Sequence, residues 1–279
     1  MSELRILVAF KVTPDFEALR DADWVALAAG GGDTRYVRRV LNCFDESALE
    51  LALRLRRGLV AADVAAQLDA LSIGGREVEP FLATLRALGY DRAARLDAGP
   101  HTAALDFAPG AVAALIAAYA RRVACSDLVM LGTSSGPGDG GTVPFRVAAA
   151  LELPCLAQVT ELDALADGRV RVACAADDGL LRLTLNGPCV LAVGNAVVSC
   201  LSAPTLKERL TVRDEPPEVL SDAELGVDLD AELGREGATL VDLETIDRAR
   251  AGTIVGGATP ADAARDLYDG WLRDLLEKL

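Results

Sequence analysis

The sequence predicts an α/β protein: a doubly wound, mostly parallel sheet, then an antiparallel β-meander, then an extended C-terminal arm. Three observations carry this. Short apolar runs alternate with segments of helical spacing through residues 4–151. Two-residue turn signals then replace the helices, up to Val193. From Gly194 the periodicity fades, and prolines and acidic residues take over. The division expected is an α/β domain with its meander over 1–193, and a recognition loop with a docking arm over 194–279.

The elements follow in order. Leu4–Phe10 is apolar and rich in strand formers, and reads as a buried first strand ended by the Lys-Val-Thr-Pro at 11–14. An ATP-pyrophosphatase would need a Ser-Gly-Gly loop there. That loop is absent, as is any G-x-x-x-x-G-K-[ST], so ATP cleavage is disfavoured. Gly30, Gly31, Gly32 and Asp33 form a turn. Asn42-Cys43-Phe44-Asp45-Glu46 opens the first clear helix, with Asn42 or Asp45 as its cap and Leu49, Leu51, Leu53 and Leu55 on its buried side. A second strand spans 64–73, and Gly74-Gly75 turns into a helix over 78–88 that stops at Gly89. A third strand spans 92–96. Pro109 then starts an Ala-rich helix over 110–123, and a strand follows over 128–131.

The stretch 128–154 organises the rest. It reads strand, glycine-rich loop over 133–141, then helix from Val143, with Pro144 in the first turn. Glycines let a backbone approach a ligand, and a helix start leaves N–H groups unpaired at the positive end of the dipole. The pattern therefore suits the phosphate end of a nucleotide pocket, and it also suits a plain surface loop. Gly136, Gly138 and Gly141 match G-x-G-x-x-G, but mid-chain and with a long spacer after the strand, which speaks against a dinucleotide fingerprint. Ala9, Ile73 and Gly132 end three strands, where doubly wound sheets bind ligands.

Beyond Pro154, runs over 156–165 and 169–175 flank Asp167-Gly168, reading as a hairpin with a type I′ turn. Asp178-Gly179 turns into a strand over 180–185, and Cys189–Val193 closes the meander, which is expected to lie beside the parallel sheet. After Gly194 comes a mostly acidic run over 212–224, then a final helix over 260–279 with Leu267, Trp271, Leu275 and Leu276 on one side. Such an arm suggests docking on another polypeptide, or a tail packed on its own domain.

Composition bounds the function. The formal net charge is −14, which repels nucleic-acid backbones and anionic lipid. No apolar run reaches the ~18 residues of a spanning helix. The opening MSELRILVAF does not read as a signal peptide, so cytoplasmic location and no membrane insertion are expected. The six cysteines show no C-x-x-C spacing and His101 is the one histidine, so neither a metal site nor a nucleophile–His catalyst is expected.

Several stations together resemble the β subunit of electron transfer flavoproteins over nearly the full length. LRILVAFK is similar to that family's opening strand. Asn42-Cys43-Phe44-Asp45-Glu46 resembles its Asn-Pro-Phe-x-Glu helix entry, with Cys43 in place of the proline. Ala87-Leu88-Gly89-Tyr90-Asp91-Arg92 resembles its Ala-Met-Gly-Ala-Asp-Arg turn. The stretch 128–154 has the length of its nucleotide loop. Asp178-Gly179, Glu224-Leu225-Gly226-Val227-Asp228 and Arg250-Ala251-Gly252 match later stations.

The resemblance implies a flavodoxin-like, adenine-nucleotide-binding fold and an electron-transfer carrier without its own catalytic centre. It implies AMP, or a second FAD, bound in this subunit, and a heterodimer with an α subunit that holds a redox-active FAD. A flavin-dependent dehydrogenase would dock near 194–206. Carried over, the pocket would use Ala9, Asn42, Cys43, Phe44, Asp45, Ile73, Gly132, Thr133, Ser134, Ser135, Gly136, Gly138, Asp139, Gly140, Gly141, Thr142 and Val143. Phe16 stands where the family often has an aromatic near the α-subunit flavin, and Phe44 would help there. The chain departs at Asp139-Gly140-Gly141-Thr142-Val143-Pro144-Phe145, where the family reads Asp-x-x-x-Gln-Thr-Gly-Gln, and at 198–204, where it has Asn-Glu-Pro-Arg-Tyr. A nonstandard dehydrogenase partner is therefore expected. The alternatives are a solitary adenine-nucleotide sensor of the universal-stress type, and a scaffold subunit that has lost its nucleotide.

Overall fold

The computed structural model describes residues 3–29, 33–136, 140–235 and 252–277. The turn expected at Gly30, Gly31 and Gly32 lies outside them. The chain divides into two compact units, Met1–Asp242 and Leu243–Leu279.

The first unit is built on a sheet of nine strands. Its first strand, β1 (Leu4–Phe10), is followed by a short hairpin of β2 (Val12–Pro14) with β3 (Arg39–Leu41), interrupted by helix α1 (Asp21–Ala28). Helix α2 (Cys43–Ala61) leads to β4 (Ala66–Ile73), α3 (Glu79–Ala87) to β5 (Arg92–Asp97), and α4 (Pro109–Tyr119) to β6 (Leu128–Gly132). Helix α5 (Val143–Leu151) leads to β7 (Cys155–Ala164), which β8 (Val170–Ala176) and β9 (Gly179–Thr184) extend. Strand β10 (Cys189–Val193) is followed by α6 (Leu206–Thr211), β11 (Glu218–Ser221), α7 (Asp222–Leu225) and α8 (Leu229–Leu233).

The order across the sheet is β11-β5-β4-β1-β6-β10-β7-β8-β9. It is parallel from β11 to β7 and antiparallel in β8 and β9. Alternation puts successive side chains on opposite faces. Ile6, Val8 and Phe10 of β1 join the core under α2 and α3, while Leu7 and Ala9 join the core under α4 and α5. Burial on both faces is why β1 reads as an unbroken apolar run.

Three expectations are corrected. Strand β10 does not close a meander: it lies between β6 and β7 and is parallel to both. All five of its residues are buried, as a central parallel strand requires. The antiparallel strands therefore extend the same sheet instead of lying beside it. The β7–β8 connection is not type I′, because only Gly168 there has positive φ, at 79°. Gly168 N–H donates to Leu165 O at 2.8 Å and Leu165 N–H to Arg169 O at 2.8 Å, which is a type I turn closed by a glycine bulge.

The region after Gly194 also holds more structure than its composition suggests. Strand β11 pairs in parallel with β5, and Leu225 and Leu229 of α7 and α8 are buried in the α4 core. Ser221 accepts from Glu224 N–H, and Glu224 returns a carboxylate to Ser221 N–H at 2.7 Å, a capping box written in the acidic run itself.

In the second unit, helix α9 (Pro260–Leu267) is capped by Thr259 and starts with Pro260. A π-helical turn, Tyr268–Leu272, joins it to α10 (Arg273–Leu276), and the Arg273 guanidinium lies 5.5 Å from the Tyr268 ring centroid.

Tyr90 ties the turn before β5 to α2: its buried hydroxyl donates to Leu49 O at 2.9 Å. Tyr90→Phe removes that one bond while keeping the ring. It is expected to cost about 1 kcal/mol, read as a lower urea midpoint at unchanged slope.

Candidate functional site

Strand β1 has β4 on one side and β6 on the other. The chain leaves β1 in one direction and returns in the other, so the strand C-termini part there into a crevice. A cavity of about 650 Å³ opens at that point. Ala9, Ile73 and Gly132, the three expected strand ends, all form its wall. Leu71, Leu105, Val112 and Ile116 make much of the remainder apolar.

Asp45 fastens this floor. It sits in the first turn of α2, 5% exposed, with its carboxylate turned inward. One oxygen accepts from Gly132 N–H at 2.6 Å and the other from Lys11 N–H at 2.9 Å. A single side chain thus joins the ends of β6 and β1. Burial pushes its carboxyl up to about 6, against the pull of the two backbone N–H groups, of Asn42 and of the Lys11 charge. Asp45 is therefore not a helix cap. Asn42 occupies the cap position, but its amide donates instead to Ser134 O at 2.9 Å. Thr133 N–H donates to Val193 O at 2.8 Å. The loop leaving β6 is held from α2 and from β10.

Gly132 has to be glycine. A Cβ there would lie 2.6 Å from Asp45 Oδ1, 2.8 Å from Phe44 Cβ and 2.9 Å from Asp45 N. Gly141 adopts φ 59°, a left-handed conformation, as the loop turns into α5. The first intrahelical bond of α5 runs from Arg146 N–H to Thr142 O. Ahead of it, Pro144 has no N–H, and the N–H groups of Thr142, Val143 and Phe145 have no acceptor among the described residues. These donors stand at the positive end of α5, those of Thr142 and Val143 on the cavity wall, an arrangement suited to anions.

The structure brings most of the sequence-derived site together. Thr133, Ser134, Ser135, Gly140, Gly141, Thr142 and Val143 line the cavity with Ala9, Asp45, Ile73 and Gly132. Asn42 and Phe44 act one layer out, on Ser134 and Gly132. Cys43 is exposed on the first turn of α2, and Gly136 lies off the wall. Phe16 also lies off the wall and stacks on Trp24, with ring centroids 6.0 Å apart. Gly138 and Asp139 lie outside the described residues.

Sequence reasoning passed over several wall residues. Glu77 and Asp106 reach the cavity from turns before α3 and α4. Lys11 Nζ pairs with Asp106 Oδ1 at 2.7 Å on the cavity wall. Arg146 was legible in principle: it stands three residues after Val143, on the same helical face.

The chain was compared with known proteins. The sequence model of the family described as "Electron transfer flavoprotein domain" matches residues 33–225. Escherichia coli (strain K12) YgcR, whose name places it among electron transfer flavoprotein subunits, is 29% identical over 98% of this chain and 100% of its own length. The electron transfer flavoprotein subunit beta of Mycobacterium tuberculosis (strain H37Rv) is 26% identical over 92% of this chain and 89% of its own. Its namesake in Bacillus subtilis (strain 168) is 27% identical over 44% of this chain and 45% of its own length.

Two outcomes are expected. Gly132→Ala drives a Cβ into backbone and a buried carboxylate, and should lower stability by more than about 2 kcal/mol in a denaturant titration. Asp45 titrates near 6 in the folded chain against 3.8 ordinarily, so the fold holds its proton more tightly than the unfolded chain does. Its ionisation opposes folding fully above pH 6, and this opposition fades as pH falls toward 4. Relative to Asp45→Ala, the wild type should therefore gain about 2 kcal/mol between pH 7 and pH 4, measured by urea unfolding across that range.

Proposed function

Because the chain belongs to the electron transfer flavoprotein family, as a divergent member of its β-subunit branch, we propose that it holds AMP in the switch-point cavity. In this reading it pairs with an α subunit carrying FAD and hands electrons on from a flavin-dependent dehydrogenase. The observation that carries the reading is the cavity at the β1/β6 crevice, with the unpaired N–H groups of α5 at one end and apolar walls at the other.

The residues present fit a nucleotide. The Thr142 and Val143 N–H groups would meet the phosphate, and Gly141 lets the backbone come close. The apolar wall suits a base, and a volume of about 650 Å³ lies within the range of small-ligand sites. A flavin on the α subunit would supply the redox chemistry when bound. The part of this chain is to hold, shield and present, so it requires no general acid, base or nucleophile of its own.

Helix α2 links the two jobs. Asp45 fixes the cavity floor, while Glu46 accepts from Leu201 N–H at 2.9 Å and Glu50 from Ser202 N–H at 3.0 Å. The segment 194–206, read as the dehydrogenase-facing loop, is thereby set by the helix that sets the nucleotide site.

Co-expression with an α subunit of the family from the same organism tests both parts. A co-purified heterodimer releasing one FAD and one AMP on acid extraction is expected. An extract without AMP overturns the cavity assignment, and a chain that purifies as a stable monomer or homodimer beside an unbound α subunit overturns the subunit reading.

A further inference from the structure

A phosphate carries up to two negative charges, and this chain has a formal net charge of −14. Five described ionisable side chains line the cavity: Lys11, Asp45, Glu77, Asp106 and Arg146. Three are acids. The Lys11 ammonium is already matched by Asp106 at 2.7 Å. Asp45 is engaged with the strand ends.

Arg146 differs from these. It stands near the start of α5, one turn beyond Thr142, at the end of the cavity where the helix N–H groups face in. Its side chain is exposed, and among the described residues it makes no ion pair or side-chain hydrogen bond. Pro144 has removed one backbone donor from the same turn. An anion there gains only main-chain dipoles unless a cation joins them. A guanidinium presents a planar fork that fits a phosphate with two hydrogen bonds.

We propose that Arg146 is the side chain that binds the phosphate of the cavity's ligand and selects phosphorylated ligands over their neutral counterparts. This rests on the nucleotide reading of the cavity. It adds a specificity residue from α5 to a site otherwise made of backbone and apolar wall.

The test compares AMP with adenosine on the full chain in its complex, by equilibrium dialysis against wild type, Arg146→Gln and Arg146→Lys. Arg146→Gln should weaken AMP binding by roughly tenfold to a hundredfold, the loss expected for a hydrogen bond to a charged group. Adenosine binding should change less than about twofold, because the neutral ligand lacks the group that Arg146 meets. Arg146→Lys keeps the charge and should recover part of the AMP affinity. Equal loss for both ligands, or no loss for AMP, overturns the role of Arg146 while leaving the nucleotide site standing. A wild type that binds neither AMP nor adenosine overturns the nucleotide reading and this inference with it. Thermal midpoints of the three proteins should coincide, since the side chain is exposed.

Discussion

One buried carboxylate holds the site together. Asp45 takes a backbone N–H from the end of β6 and another from the residue after β1. The β1–β6 register ends at Val8 and Met130, so beyond it each strand end is held only by its outer neighbour, β4 or β10, and Asp45 is what joins the two. Desolvation alone would make a buried carboxylate costly, and the two N–H groups offset much of that. The remaining strain shows in the raised affinity of Asp45 for a proton. The geometry also dictates its neighbour: with Asp45 Oδ1 2.6 Å from where a Cβ would lie, position 132 admits no side chain.

The same helix transmits that order outward. Glu46 and Glu50 lie one turn apart on α2, and their carboxylates hold the backbone of Leu201 and Ser202. Glu50 is 1% exposed and also pairs with Arg54 at 3.0 Å. A loop anchored through backbone N–H groups to a buried helix keeps its position whatever its own side chains are.

How much of this could be read beforehand follows from where each signal resides. Strand β1 and helix α5 have the bounds their residues announce, because an apolar run and a Gly-Thr-Val-Pro helix start are local signals. Asp45 was legible as belonging to the site but not for its action. Its partners are 34 and 87 residues away, and a carboxylate at a helix start looks like a cap. Strand β10 was misplaced because hairpin signals before it suggested continued antiparallel pairing. Its unbroken burial was the contrary sign, since a strand with one face in water alternates. Strand β11 was missed because an edge strand tolerates Glu218 and its neighbours, and acidic composition then hides the pairing with β5.

The net charge of −14 and the proposed anion site are compatible once distance is considered. Screening removes most interactions between exposed charges beyond about 10 Å, so the acidic surface acts chiefly on extended polyanions that must lie along it. A mononucleotide in a crevice meets only what lines the crevice. There the helix dipole and N–H groups of α5 act at contact distance, in surroundings made less polar by Leu71, Leu105, Val112 and Ile116. The same low polarity that raises the proton affinity of Asp45 would strengthen each donor that meets a phosphate there. In the proposed reading, exclusion of nucleic acid and capture of a nucleotide would both follow from one charge distribution sampled at two ranges.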